Sequence, residues 1–139
     1  MGRTFDVALL RLLQQFEKLT HAKAVDVVER DGLWFIVEET SMGKAIGRGG
    51  STIQRLERIF KNPIRIVAYS SDPTVFVRNL LYPIQPKDVV CEGEALIISD
   101  PSAQVRGRII GRDKANLQWL STVLGRHFGR LHVEIREKL

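Results

Sequence analysis

Near the start of the chain, Phe5, Leu9, Leu12, Leu13, Phe16 and Leu19 recur at helical spacing and predict an amphipathic helix over residues 3–19. The period then changes. Val25 and Val27 lead to Arg30-Asp31-Gly32 and the apolar run Leu33-Trp34-Phe35-Ile36-Val37. Asp-Gly between two apolar runs is a strong hairpin signal. A short helix over about 41–46, a glycine-bearing turn at 47–50, a longer helix over 51–61 and a strand over 64–69 should follow. Asp72-Pro73 then supplies a helix cap with proline at the first helical position, predicting a helix through about Leu81. Val89-Val90-Cys91, the turn Glu92-Gly93 and Ala95-Leu96-Ile97-Ile98 give a second hairpin. A helix over 102–110, a turn at 111–114, a helix over 115–128 and a strand over 131–136 complete the pattern.

The order of elements therefore occurs twice, and so do the residues. At an offset of 64 positions, Gly43, Ile46, Gly47, Arg48, Gln54 and Leu56 meet identical residues at Gly107, Ile110, Gly111, Arg112, Gln118 and Leu120. Lys44 over Arg108 and Ile59 over Val123 keep basic and apolar character. Self-similarity at one fixed offset indicates duplicated units. Each unit reads helix–strand–strand–helix–helix–strand, an α+β arrangement with a small three-stranded sheet covered by helices on one face. The expected domains are residues 1–70 and 71–139.

Charge follows the repeat. The 139 residues carry a net +5, yet this total hides an uneven distribution. Residues 42–66 hold Lys44, Arg48, Arg55, Arg58, Lys61 and Arg65 against Glu57 alone. Residues 105–130 hold Arg106, Arg108, Arg112, Lys114, Arg126 and Arg130 against Asp113 alone. Each block is net +5 and the remainder of the chain is net −5. One such block is as well explained by a solvated helix face, but two at matching positions favour a polyanionic partner. A single cysteine excludes an internal disulfide, and no secretory signal or membrane-length apolar run is present, so a reduced, cytoplasmic, soluble protein is expected.

The segment Ile46-Gly47-Arg48-Gly49-Gly50-Ser51-Thr52-Ile53 resembles the Gly-x-x-Gly signature of KH domains, with Gly47 to Gly50 as the loop between two helices. The preceding helix and hairpin resemble the prokaryotic, type II, form of that fold. Met42 to Gly50, together with Tyr69-Ser70-Ser71-Asp72-Pro73 leading into the second unit, is similar to the archaeal NusA family of transcription termination and antitermination factors. The resemblance runs from the first helix to Val133 and implies two tandem type II KH domains. It departs from the family pattern at Gly111-Arg112-Asp113-Lys114, where a glycine is expected at position 114. The polymerase-binding and S1 domains of bacterial relatives are expected to be missing, since 139 residues leave no room for them.

What the resemblance implies is single-stranded RNA binding in transcription elongation, termination or antitermination. KH loops clamp the backbone of about four nucleotides. Glycines let the sugar–phosphate approach, and the following helix aims its amides at the anion. Gly47, Gly49 and Gly50 suit that role, with Lys44, Arg48, Arg55 and Arg58 as charged candidates. A tight structural turn is the bland alternative, and a solvated face explains Arg55 and Arg58 equally well. In the second unit Gly111, Arg108, Arg112 and Lys114 favour RNA, although Asp113 repels phosphate and Lys114 obstructs close approach if its φ is positive. That unit's alternative role is to buttress the first. Trp119 either stacks on a base or packs inward, and Trp34 belongs to the core or an interdomain contact.

Catalysis has no support in the residues. His21, His127 and His132 lack ligand spacing, Cys91 is expected to be a buried inert thiol, and Glu38-Glu39 diverge on a strand. No Walker A or Gly-x-Gly-x-x-Gly run is present. The expectation is a non-enzymatic protein with no cofactor or metal, a monomer, with RNA polymerase or other transcription proteins as further partners and no membrane. The competing reading is a KH-fold scaffold that docks on polymerase or a ribonucleoprotein and touches RNA weakly.

Overall fold

The computed structural model describes residues 7–139. The expected helix start at residue 3, with Phe5, lies outside the described residues. The chain divides after Ser70 into two compact units.

In the first unit, α1 (Val7–Thr20) precedes a hairpin of β1 (Ala24–Glu29) and β2 (Leu33–Val37). Helices α2 (Met42–Ile46) and α3 (Ser51–Phe60) then lead to β3 (Ile64–Ala68). The sheet order is β1-β2-β3, with β1 antiparallel and β3 parallel to the central β2. Parallel neighbours need a crossover connection, and here it is α2, the glycine turn and α3. Alternate residues of β2 explain the packing. Leu33, Phe35 and Val37 share one buried cluster with Phe16 of α1, Ala45 of α2 and Leu56 of α3. The rings of Phe16 and Phe35 stack at 4.2 Å between centroids. Trp34 and Ile36 point to the opposite face and are also buried. The Trp34 indole N–H donates to the Arg30 carbonyl at 2.9 Å, and the Arg65 guanidinium lies 4.4 Å from the ring centroid. Trp34 is thus committed to packing.

The second unit repeats this plan with α4 (Pro73–Leu81), β4 (Asp88–Glu92), β5 (Ala95–Ser99), α5 (Ala103–Ile110), α6 (Ala115–Phe128) and β6 (His132–Arg136). Its sheet order is β4-β5-β6, again antiparallel then parallel about the central strand. Phe76, Leu80, Leu96, Ile97, Ile98, Ile109, Leu120 and Leu124 are fully or almost fully buried. The cap read from Asp72-Pro73 is present: Asp72 Oδ1 accepts from the Thr74 backbone N–H at 2.9 Å and from its hydroxyl at 2.7 Å.

One expectation is corrected. Cys91 is exposed, because β4 is an edge strand paired only with β5 and Cys91 sits near its end. Its thiol still resists ionisation: partial desolvation raises its pKa, and the Asp72 carboxylate adds to the effect. Among the described residues no helix is long and apolar enough to cross a membrane.

Candidate nucleic-acid interface

Each crossover carries the same loop. Gly47 ends α2 at φ 75° and ψ 168°, its N–H donating to Gly43 O at 2.9 Å. Gly111 ends α5 at φ 76° and ψ 173°, its N–H donating to Gly107 O at 2.8 Å. That backbone region is essentially closed to L side chains. A Cβ at Gly47 would overlap the Thr52 side chain and backbone nitrogen, and one at Gly111 would lie 2.6 Å from Asn116 Cγ. The first glycine of each loop is therefore fixed by both conformation and contact. Thr52 and Asn116 are the partners that the sequence reading missed. They occupy matched positions in the repeat, polar residues beside the apolar Ile53 and Leu117, and this was the available signal. Asn116 also donates from Nδ2 to Arg108 O at 3.0 Å, tying the end of α5 to the start of α6.

The next residues form a tight turn in both units, Arg48–Gly50 and Arg112–Lys114. Gly49 adopts φ 61°, ψ 23° and Gly50 φ 76°, ψ 14°. Asp113 follows with φ 53°, ψ 30° and Lys114 with φ 63°, ψ 20°. The second loop thus keeps the first loop's left-handed backbone although it lacks the glycines that adopt it freely. Each non-glycine residue held there costs roughly 1–2 kcal/mol, less for Asp.

Side-chain caps close the starts of α4 and α5 but not those of α2, α3 or α6. Asp72 caps α4, and Ser102 Oγ caps α5 by accepting the Val105 N–H at 3.2 Å. Neither α3 nor α6 receives a side-chain cap. The N-terminal dipole of α3 faces its loop with no acidic residue in that loop, whereas α6 has Asp113 just ahead of its first turn. Cations lie on the loops and on the helices that precede them. Lys44 lies on α2, Arg48 in the first loop, Arg108 on α5, and Arg112 and Lys114 in the second loop, all exposed. Among the described residues none of these side chains, nor Arg55 or Arg58, makes an ion pair or hydrogen bond. Other arginines are occupied: Arg78 donates to Pro86 O and Arg106 to Asp100 O. Glu57, the one acid of the first block, turns away to accept the Ile64 N–H at 3.2 Å.

The structure does not gather every candidate equally. Arg55 and Arg58 stand four and seven residues beyond Ser51, roughly 6 and 10 Å along the axis of α3 from the loop. Arg58 belongs to the far end of that helix. Trp119, at the position matching Arg55, is half-buried with its indole nitrogen shielded from solvent. Among the described residues no group of three or more His, Cys, Asp or Glu side chains stands where it could hold a metal ion.

Comparison with known proteins identifies consistent relatives. No protein-family model matches the chain. A probable transcription termination protein NusA from Methanocaldococcus jannaschii is 33% identical over 116 residues, covering 81% of this chain and 63% of that protein's length. A protein of the same name from Halobacterium salinarum is 31% identical over 121 residues, covering 85% of this chain and 87% of its own. That from Halococcus morrhuae is 28% identical over 138 residues, covering 97% and 99%. Among solved structures, the crystal structure of APE1850 superposes with a TM-score of 0.73 at 29% identity, over 95% of this chain and 100% of that one.

Proposed function

The chain belongs to the family of archaeal proteins named probable transcription termination protein NusA, and from that premise we propose that it is a tandem type II KH protein that binds single-stranded RNA. Residues 1–70 and 71–139 are the two KH domains of this reading. It acts without catalysis in the cytoplasm, on elongation, termination or antitermination by RNA polymerase. The observation that carries the RNA reading is the doubled loop. Two uncapped helix starts lie beside left-handed turns, with exposed cations that have no protein partner among the described residues. A phosphate there satisfies both the helix dipole and the side chains. The RNA-contacting set is Lys44, Gly47, Arg48, Gly49, Gly50, Arg55 and Arg58 in the first unit and Arg108, Gly111, Arg112 and Lys114 in the second.

Small loops of this kind fit a flexible strand better than a duplex, whose backbone is held rigid. Titration of the chain with short single-stranded RNA and matched duplex RNA at several salt concentrations tests the proposal. Tighter single-strand binding that weakens as salt rises is expected. Equal binding of strand and duplex would favour the protein-docking scaffold instead.

A further inference from the structure

The second loop contains a feature that general anion binding does not explain. Asp113 is the only acidic residue between positions 105 and 130, and it stands at the apex of the turn between Arg112 and Lys114. A carboxylate beside a phosphate-binding turn opposes its partner. It also contributes little to the fold visible around it. Asp113 is exposed, makes no ion pair or side-chain hydrogen bond among the described residues, and does not cap α6. Its backbone matches that of Gly49, where an added Cβ would meet nothing within 4 Å. By the repeat, the Asp113 side chain leaves the loop on its open side, where the first unit offers no side chain at all.

We propose that Asp113 makes the second loop selective for ribose, its carboxylate accepting a hydrogen bond from a 2′-hydroxyl while Lys114 holds the adjacent phosphate. The inference rests on the RNA-binding reading above. The chemistry selects this donor. A loop that grips the sugar–phosphate backbone meets phosphate oxygens, which a carboxylate repels, and sugar hydroxyls, which it attracts. The 2′-hydroxyl is the donor that RNA has and DNA lacks. A hydroxyl-to-carboxylate bond is charge-assisted and short. On a deoxy strand Asp113 retains its repulsion with no bond to offset it. The carboxylate thus acts twice against DNA. Gly49 and Gly50 have no side chain with which to make the distinction, so the first loop grips either backbone.

The test uses the full chain and three single strands of one sequence: RNA, DNA and 2′-O-methyl RNA, which keeps the ribose oxygen but loses the donor. Fluorescence anisotropy at one salt concentration gives the affinity ratios. The unmodified chain should prefer RNA over both other strands by about tenfold, equivalent to 1.4 kcal/mol. Asp113→Gly, which suits the left-handed backbone, should reduce that preference to about twofold or less, mainly by improving DNA binding. Asp113→Asn, keeping an acceptor without the charge, should fall between. Equal binding of RNA and DNA by the unmodified chain would overturn the inference while leaving RNA binding intact. So would an Asp113→Gly variant that strengthens all three strands alike, since the residue would then act by charge alone. Failure of the unmodified chain to bind any single-stranded RNA would overturn the RNA-binding reading itself, and the inference with it.

Discussion

The four loop positions differ in what they ask of a residue. Gly47 is constrained from within: its φ and ψ exclude L side chains, and Thr52 occupies the space a Cβ would need. Gly47→Ala should therefore lower unfolding free energy by about 1–3 kcal/mol, measured by thermal or denaturant unfolding. A melt identical to that of the unmodified chain would show that the turn relaxes without strain. Gly49 and Gly50 are constrained by backbone sign alone, for an added Cβ at either meets nothing within 4 Å. The same chain already holds Asp at the matching position 113. Changing Gly49 and Gly50 together to Asp should accordingly leave a folded protein by circular dichroism and yet cut RNA affinity by at least about tenfold. The carboxylate added at position 50 stands where the second loop has the cation Lys114 and repels the phosphate, and the backbone loses its open side. Unchanged affinity in a folded variant would remove the first loop from the interface. Lys114→Gly sets opposing effects against each other: a phosphate contact is lost and close approach is regained. Its affinity should change by less than about tenfold, and complete loss would make Lys114 the dominant contact.

At the scale of elements, helix starts divide into those closed by the chain itself and those left open. Ser102→Ala removes the cap of α5 and should destabilise the fold by about 1 kcal/mol without altering RNA affinity. Reduced affinity in a folded Ser102→Ala variant would contradict the division between structural and binding helix ends. Asp72 adds a pH signature. Its hydrogen bonds from Thr74 hold its pKa below the usual carboxylate value. A carboxyl depressed by folding stabilises the protein above its unfolded pKa and loses that effect as pH falls through the folded value. The stability difference between the unmodified chain and Asp72→Asn should therefore be present near neutrality and fade in acid. Most elements were legible in the sequence because periodicity and punctuation agreed: the Leu9 to Leu19 stripe, Asp31-Gly32 and Asp72-Pro73 all mark local physics. The two hairpins were legible from Asp31-Gly32 and Glu92-Gly93, but the partner of each unit's last strand was not. That β3 lies parallel to β2, and β6 to β5, depends on crossovers whose path no local pattern encodes. Cys91 was misjudged for the same reason, since an apolar neighbourhood in sequence does not reveal an edge strand. The loops were legible from the repeat, but the positive φ of Asp113 and Lys114 contradicts their local preference and follows only from the duplicated turn.

For the whole molecule, the question is whether the net charge or its placement governs binding. A chain of net +5 attracts any polyanion weakly at long range. Here, however, the excess is confined to two blocks, and the remaining sequence is net −5. Placement therefore makes a different prediction from total charge. Arg48→Ala with Arg112→Ala removes two cations at the loops. Lys18→Ala with Lys138→Ala removes the same net charge from exposed positions outside both blocks. If binding proceeds through specific phosphate contacts, only the loop pair should reduce the salt dependence, lowering the slope of log K against log salt by about 1.4 for two lost contacts on a single strand. The pair outside the blocks should leave the slope nearly unchanged, because counterion release follows direct phosphate contacts and neither Lys18 nor Lys138 belongs to the duplicated loops. Equal reductions from both pairs would mean that the chain binds as a diffuse cation, and the duplicated loops would lose their claim to be the contact surface. A reduction from the loop pair alone would tie affinity to the two turns that the sequence repeats.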